Sequence, residues 1–316
     1  MNAIVSSAIL SQRDPSEIIQ HVDGSADFVI SPQLSGHYDR ARAVLSTRWA
    51  PRGIPSFNLD LLHELERGSQ MIEGHFSGTE TERPLRHIVV RSNVEGVFCA
   101  GGDLGYFLRL ITAQDRARLT EYARAAVNVA YRNYTAHNLR GVTTVALLEG
   151  DALGGGFESA LSCDIVIAEK HIKAGFPEVL FNMFPGMGGL SFLSRRVGRH
   201  AANQLSRTGR LYSAQELLDM GVVDQVVNTG EANDAVASLI RQREQQHGAH
   251  SAMNTVDRML NPVTLGELTD VVRLWVDCAM QMTPRSVEWM RRLHRQQIAT
   301  YGRALEIVPH AERAAA

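Results

Sequence analysis

Two carboxylates, Glu158 and Glu178, lie in the stretch from Val145 to Gly189, each in a setting where an ionised side chain is expensive to bury. Glu158 follows Gly154, Gly155 and Gly156 and has Phe157, Ala160 and Leu161 around it. Glu178 follows Pro177 and leads into Val179, Leu180 and Phe181. Brought together, two such groups raise one another's proton affinity and share a proton, which suits general acid and base chemistry. Taken singly, a Glu in the first turn of a helix serves the helix dipole, and a Glu after Pro is an ordinary helix start. The glycines shift the balance toward chemistry. Consecutive glycines between a strand and a helix lose backbone entropy, and a chain keeps them where something must approach the backbone closely. A backbone amide at Gly155, at a helix start, can hold a developing oxyanion.

A second donor of the same kind is expected upstream. The run Phe98, Cys99, Ala100, Gly101, Gly102, Asp103, Leu104 follows a strand predicted at 87–91 and precedes an apolar helical segment at 106–111. Two strand, glycine turn, helix units therefore repeat one device. This block, the Ala152 to Glu158 block, and Pro177 to Leu180 followed by Phe184 to Gly189 resemble the crotonase (enoyl-CoA hydratase/isomerase) superfamily in order and spacing. The resemblance implies an α/β fold, a ββα spiral core with a C-terminal helical region. It also implies an oxyanion hole made by the amides of Gly102 and Gly155, and paired acids Glu158 and Glu178. Residues 55–59 stand where that superfamily usually has an Asn-Ala-Leu turn contacting pantetheine.

The elements that must position these groups follow from periodicity. Phe57, Leu61, Leu62, Leu65 and Met71 have helical spacing over 56–71, and a polar loop at 78–84 leads into the strand at 87–91. Residues 113–139 read as one long helix, with strands at 143–148 and 165–168. Alternation of strand and helix implies parallel strands joined by helical crossovers. A helix ends at Gly198, another at 213–220 is stopped by Gly221, and a strand at 222–227 follows. Residues 1–40 alternate weakly, clearest at 28–30, and suggest a hairpin or sheet edge. Helices are expected at 235–243, 252–260, 265–282 and 285–301, with the last six residues disordered. The domain division is thus 1–225 for the spiral core with its N-terminal extension and 226–316 for the helical region. By the resemblance, that region covers the site and supports a homo-oligomer, a trimer or dimer of trimers. The stripe Leu268, Val272, Trp275, Ala279 reads first as plain core.

With 316 residues, 44% of them hydrophobic, the chain can bury a large core. A net charge of −2 and the lack of a Lys/Arg run argue against nucleic acid and against a membrane surface. The first residues carry no basic n-region and no stretch of about eighteen apolar residues occurs, so a cytoplasmic location is expected. Cys99, Cys163 and Cys278 are odd in number and sit in apolar segments, which predicts small buried side chains and no disulfides. His247 and His250 come close to ligand spacing in a polar segment that reads as a solvated helix end, so no metal is expected.

Residues 152–163, 177–188, 211–221 and 275–281 together are similar to the bacterial diffusible signal factor synthases, over roughly 98–295. That family makes cis-2-unsaturated fatty acid signals for quorum sensing from 3-hydroxyacyl chains on acyl carrier protein, by dehydration and thioester cleavage. The likeness implies an apolar acyl pocket to which Trp275 and Leu293 contribute, no cofactor, and a sensor protein that can bind and restrain the enzyme. The alternatives are a CoA-dependent enoyl hydratase or isomerase, and an inactive protein of the same fold that binds a regulatory partner. The superfamily pattern suggests Glu178 for C2 and Glu158 for the 3-hydroxyl, and the sequence leaves these roles exchangeable.

Overall fold

In the computed structural model, which describes residues 17–78, 82 and 84–301, the apolar run at 143–148 is the centre of a large sheet. Four strands come first, β1 (Glu17–Gln20), β2 (Ala26–Ser31), β3 (Leu34–Asp39) and β4 (Val44–Trp49), followed by helix α1 (Leu59–Phe76). A unit then repeats three times. Its first copy is β5 (His87–Ser92), β6 (Val97–Cys99), α2 (Leu104–Thr112) and α3 (Arg116–Tyr134). The second is β7 (Thr143–Leu148), β8 (Asp151–Leu153) and α4 (Gly155–Leu161). The third is β9 (Ile165–Glu169), β10 (Lys173–Gly175), a 3-10 turn at Pro177–Phe181 and α5 (Gly189–Arg207). The chain continues through β11 (Leu211–Ser213), α6 (Ala214–Asp219), β12 (Gln225–Val227), α7 (Ala232–Arg243), α8 (His247–Leu260), α9 (Leu265–Met280) and α10 (Pro284–Tyr301).

Each repeat gives its first strand to the large sheet, ordered β1-β2-β3-β4-β5-β7-β9-β12, and its second to a small sheet, ordered β11-β10-β8-β6. This is the expected spiral. From β4 to β12 the large sheet is parallel, as the strand and helix alternation requires, while β1 to β4 form an antiparallel meander at its edge. Both β7 and β9 are buried at every position, as strands covered on two faces should be. The larger core lies between the sheets and helices α1 to α4 and α9. A smaller one lies on the outer face of the large sheet, where Ala232 and Ala235 of α7 meet Val145, Ile165 and Ile167.

Some expected boundaries move. The helix expected at 113–139 starts later, at Arg116, because Gln114 takes a left-handed conformation and Asp115 caps the start by accepting from Arg118 N. That helix ends at Tyr134, followed by Ala136, His137 and Asn138, all with positive φ. Asn58 sets the start of α1 by accepting from Leu61 N at 2.8 Å. Gly198 breaks α5 with φ 78°, and the helix resumes beyond it. Helices past residue 226 do not form one layer. α7 covers the large sheet, whereas α9 packs on α3 and α10 on α2 beside the small sheet. The first sixteen residues of the expected N-terminal edge, and the last six, lie outside the described residues. No helix among the described residues is long and apolar enough to cross a membrane.

Trp49 ties the two sheets together. Its indole nitrogen donates to Phe98 O at 2.8 Å, and its ring meets Phe57 and Phe98 edge-on at 5.7 and 4.8 Å. Trp49→Ala is expected to destabilise the protein by roughly 3–5 kcal/mol, the usual result of emptying a buried aromatic site. Denaturant midpoints at unchanged slope would measure it, and a loss below about 1 kcal/mol would contradict this role.

Candidate active site

Because β6, β8 and β10 are adjacent and parallel, their C-terminal ends bring three segments of the chain to one place. Past β6 come Gly101 and Gly102, past β8 come Gly154 and Gly155, and past β10 comes Glu178. Gly101 has φ +96° and Gly154 φ +50°, conformations that favour glycine. The space is also denied to side chains: a β-carbon on Gly101 would stand 3.0 Å from Leu153 O, and one on Gly154 would collide with the Glu178 carboxylate. Gly102 and Gly155 line one cavity, and a β-carbon on Gly155 would lie 3.8 Å from the Gly102 nitrogen. Neither nitrogen donates to a backbone carbonyl among the described residues. The arrangement can offer two amides to one oxygen.

Glu158 and Glu178 line the same cavity. Glu158 is 1% exposed, and its Oε2 accepts from the amides of Met187 at 2.6 Å and Gly189 at 2.7 Å. These amides belong to the turn that opens α5, where the helix dipole also favours negative charge. Glu178 keeps part of its surface exposed, but its Oε2 is buried and has no hydrogen-bond partner. Burial pushes Glu158 up to about 8, with the Glu178 charge adding to it and the Gly189 and Met187 amides opposing it. Burial likewise raises Glu178 to about 7. The two amides favour the charge on Glu158 while burial and the Glu178 charge oppose it, so the pair shares one proton between its two carboxyls.

The cavity holds about 60 Å³ of free space, room for a few waters. Phe57, Phe107, Phe181, Met187 and Trp275 form its apolar walls. Trp275 meets Phe107 edge-on at 5.2 Å and is also core, as are Leu268, Val272 and Ala279 of the same stripe. Leu293 is not among the lining residues. It lies on α10, half-buried against the main core. Cys99 and Cys163 are buried as expected, while Cys278 is only half-buried and donates to Asn182 O. His247 does open a helix, but it is half-buried, with its ring against His87.

Two lining residues are additions to the sequence reading. The Tyr122 hydroxyl donates to Phe57 O at 2.5 Å and accepts from Asp103 N at 3.4 Å, which fastens both flanks of Gly102. Phe57 in turn pairs with Gly102 across an isolated parallel bridge, and its N–H donates to Gly101 O at 2.8 Å. In the sequence, Tyr122 looks like any core residue of an amphipathic helix.

The raised carboxylates link stability to pH. Their folded values lie above the unfolded value of about 4.3, so the fold penalises the ionised forms. Stability is full below that value and is lost as pH rises toward 8. Glu178→Gln is expected to reduce this loss between pH 5.5 and 8.5 by on the order of 2–3 kcal/mol. Chemical denaturation of both proteins at the two pH values measures it, and parallel pH curves would refute the buried charge.

The enoyl-CoA hydratase/isomerase family model matches residues 55–307. Mitochondrial methylglutaconyl-CoA hydratase of Mus musculus is 31% identical over 166 residues, 52% of this chain and 50% of that protein. The mitochondrial enoyl-CoA hydratase domain-containing protein 2 of Homo sapiens is 34% identical over 167 residues, 52% of this chain and 54% of that one. The chain spans about half the length of these curated relatives. The structure of human mitochondrial delta3-delta2-enoyl-CoA isomerase superposes with TM-score 0.70 at 19% identity, covering 85% of this chain and 99% of the other. That of an enoyl-CoA hydratase from Bacillus halodurans gives 0.68 at 20%, covering 81% and 99%. These structural likenesses show a shared fold. With a family match that takes in both strand-end glycine turns and both glutamates, the chain belongs to the enoyl-CoA hydratase/isomerase family.

Proposed function

We propose that the protein interconverts 3-hydroxyacyl and 2-enoyl thioesters, and that in its full reaction it makes a cis-2-unsaturated fatty acid signal from 3-hydroxyacyl acyl carrier protein. The observation carrying the first statement is the meeting of two buried carboxylates and two glycine amides at the ends of β6, β8 and β10. The thioester oxygen sits on the amides of Gly102 and Gly155, which hold the enolate charge when the C2 proton leaves. Glu178 exchanges the C2 proton, and Glu158 exchanges a proton with the 3-hydroxyl. Dehydration therefore starts with Glu178 ionised and Glu158 protonated, and ends with the proton moved and water released. Hydration starts from the reverse state, with Glu178 protonated and the Glu158 carboxylate held by the amides of Met187 and Gly189.

The signal synthase assignment rests on the likeness at residues 152–163, 177–188, 211–221 and 275–281. Its second step adds water to the thioester carbonyl, the same amides hold the tetrahedral oxyanion, and a carboxylate takes the water's proton as the carrier thiol leaves. Free acid and free thiol are the products. The second reading, reversible hydration or isomerisation of a CoA ester, is favoured by the names of the curated relatives. A regulatory sensor protein remains a proposed partner of the synthase. A homo-oligomer is supported by α8, which has no buried residue and exposes Met253, Val256, Met259 and Leu260. Sedimentation velocity is expected to show an assembly larger than a monomer, and a single monomeric boundary at micromolar concentration would remove it.

The deciding experiment incubates the protein with 3-hydroxydodecanoyl acyl carrier protein and, separately, with the CoA ester, and analyses lipids by mass spectrometry. Free 2-dodecenoic acid is expected from the carrier-protein substrate, with Glu158→Ala and Glu178→Ala each lowering the rate about 10²–10⁴-fold. Reversible hydration of the CoA ester without acid release would leave an ordinary hydratase. Full activity in either variant would overturn the two-glutamate chemistry itself.

A further inference from the structure

The strand β5 has a second concave site at its other end. At the start of β4 and β5 a cleft of about 360 Å³ opens between the β3–β4 turn, the segment entering β5 and the end of α7. β5 runs six residues, at about 3.3 Å each, from this cleft toward the β6 end that carries Gly102. Four guanidinium groups line the cleft, Arg40 and Arg42 from the turn, Arg86 before the strand and Arg241 from α7. Arg42 is paired with Asp39 at 2.8 Å, and Glu244 is the one acidic lining residue. Arg40, Arg86 and Arg241 form no ion pair among the described residues.

A buried imidazole lies among these cations. His87 is 2% exposed, and neither of its ring nitrogens has a hydrogen-bond partner. Native structures seldom leave buried polar atoms unmet. Burial and the nearby His247, Arg243 and Arg86 hold it well below the usual histidine range, at about 4, so at neutral pH it presents one donor and one acceptor. The frame around it is fastened. Ala43, left-handed at φ 53°, accepts from Arg86 N at 2.8 Å and His87 N at 3.2 Å, which locks the arginine-bearing turn to the strand entry.

Unpaired guanidinium groups lining one cleft are satisfied by a compact oxyanion. Arginine forks match the several oxygens of a phosphoryl group. Pro84, Ala237 and Ile240 supply an apolar wall for an organic part, and the volume lies within the range of small-molecule sites. An acidic protein surface would meet the rim arginines and leave the cleft of about 360 Å³ between them unfilled. We propose that this cleft binds a small phosphorylated metabolite of about nucleoside monophosphate size, its phosphoryl group against Arg86 and Arg241, separately from the catalytic cavity.

Calorimetric titration of the full chain with adenosine 5′-monophosphate, inorganic phosphate and adenosine tests this. One-site binding of the monophosphate is expected, weaker binding of phosphate and none of adenosine. Arg86→Gln/Arg241→Gln should weaken the monophosphate at least about tenfold, as loss of charge-assisted hydrogen bonds does. Arg241→Gln alone, at an exposed position, should weaken it in the same direction should the double variant fold poorly. Glu178→Gln should bind it as the unaltered protein does. No saturable binding of either phosphate probe, or unchanged affinity in the variants, would overturn the proposal. So would loss in the double variant of acyl carrier protein binding alone, which would make the cleft a protein-docking surface.

Discussion

One oxygen organises the centre of the molecule: Oε2 of Glu158, buried and held by the amides of Met187 and Gly189. A carboxylate at that depth is tolerated because two donors and a helix start face it. The helix start can come so close only because residues 186, 188 and 189 are glycines. A β-carbon on Gly189 would stand 3.0 Å from the Glu158 Cγ, one on Gly188 would press on Leu268 and Phe192, and one on Gly186 would strike the Trp275 ring. The same glycines therefore seat the carboxylate and let α9 close over it.

The other carboxylate arrives by a different route, and the difference gives the pair its asymmetry. Glu158 lies inside α4, directly after β8, while Glu178 lies in a 3-10 turn after β10. Gly154, whose N–H donates to Gly175 O at 2.9 Å, joins these two strand ends and leaves the Glu178 carboxylate against bare backbone. The Oε2 of Glu178, by contrast, is buried and has no such donors facing it. A spiral that returns to one spot at each turn can thus supply two amides, a seated carboxylate and an unseated one from segments far apart in sequence.

Much of this was legible in the chain because glycine leaves a strong mark. The runs at 101–102 and 154–156, and the apolar strands at 87–92, 143–148 and 165–169, are local signals and lie where they were expected. The small sheet was not legible: β6, β8 and β10 have three residues each, too few to show a period of two. The start of α3 at Arg116 rather than 113 depends on the cap at Asp115, a side-chain contact that helix propensity does not record. Tyr122 and Phe57 were hidden for another reason. Their roles depend on contacts with the turn at Gly102, which a single helix or loop pattern does not record. Leu293 was placed by likeness to a family pocket, but it packs at the edge of the core instead.

In the proposed chemistry the acid, the base and the oxyanion donors would treat hydration, dehydration and double-bond migration alike, since each would pass through an enolate held by the same amides. What separates such reactions is how the rest of the substrate lies across the pair. Here that is decided by the apolar walls, with Phe107 from α2, Phe181 from the turn that carries Glu178, and Trp275 from α9. Only about 60 Å³ is free between them, so anything larger than a few waters enters by moving a wall. Trp275 is packed into α9 beside buried Val272, Val276 and Ala279, and Phe107 against Tyr122 at 4.8 Å, so both walls are anchored in the core. Phe181, buried in the same core, sits on a short turn whose neighbours Val179 and Leu180 are exposed. Phe181 and Glu178 share the turn Pro177–Phe181, so a ligand that displaced the one side chain would shift the backbone of the other.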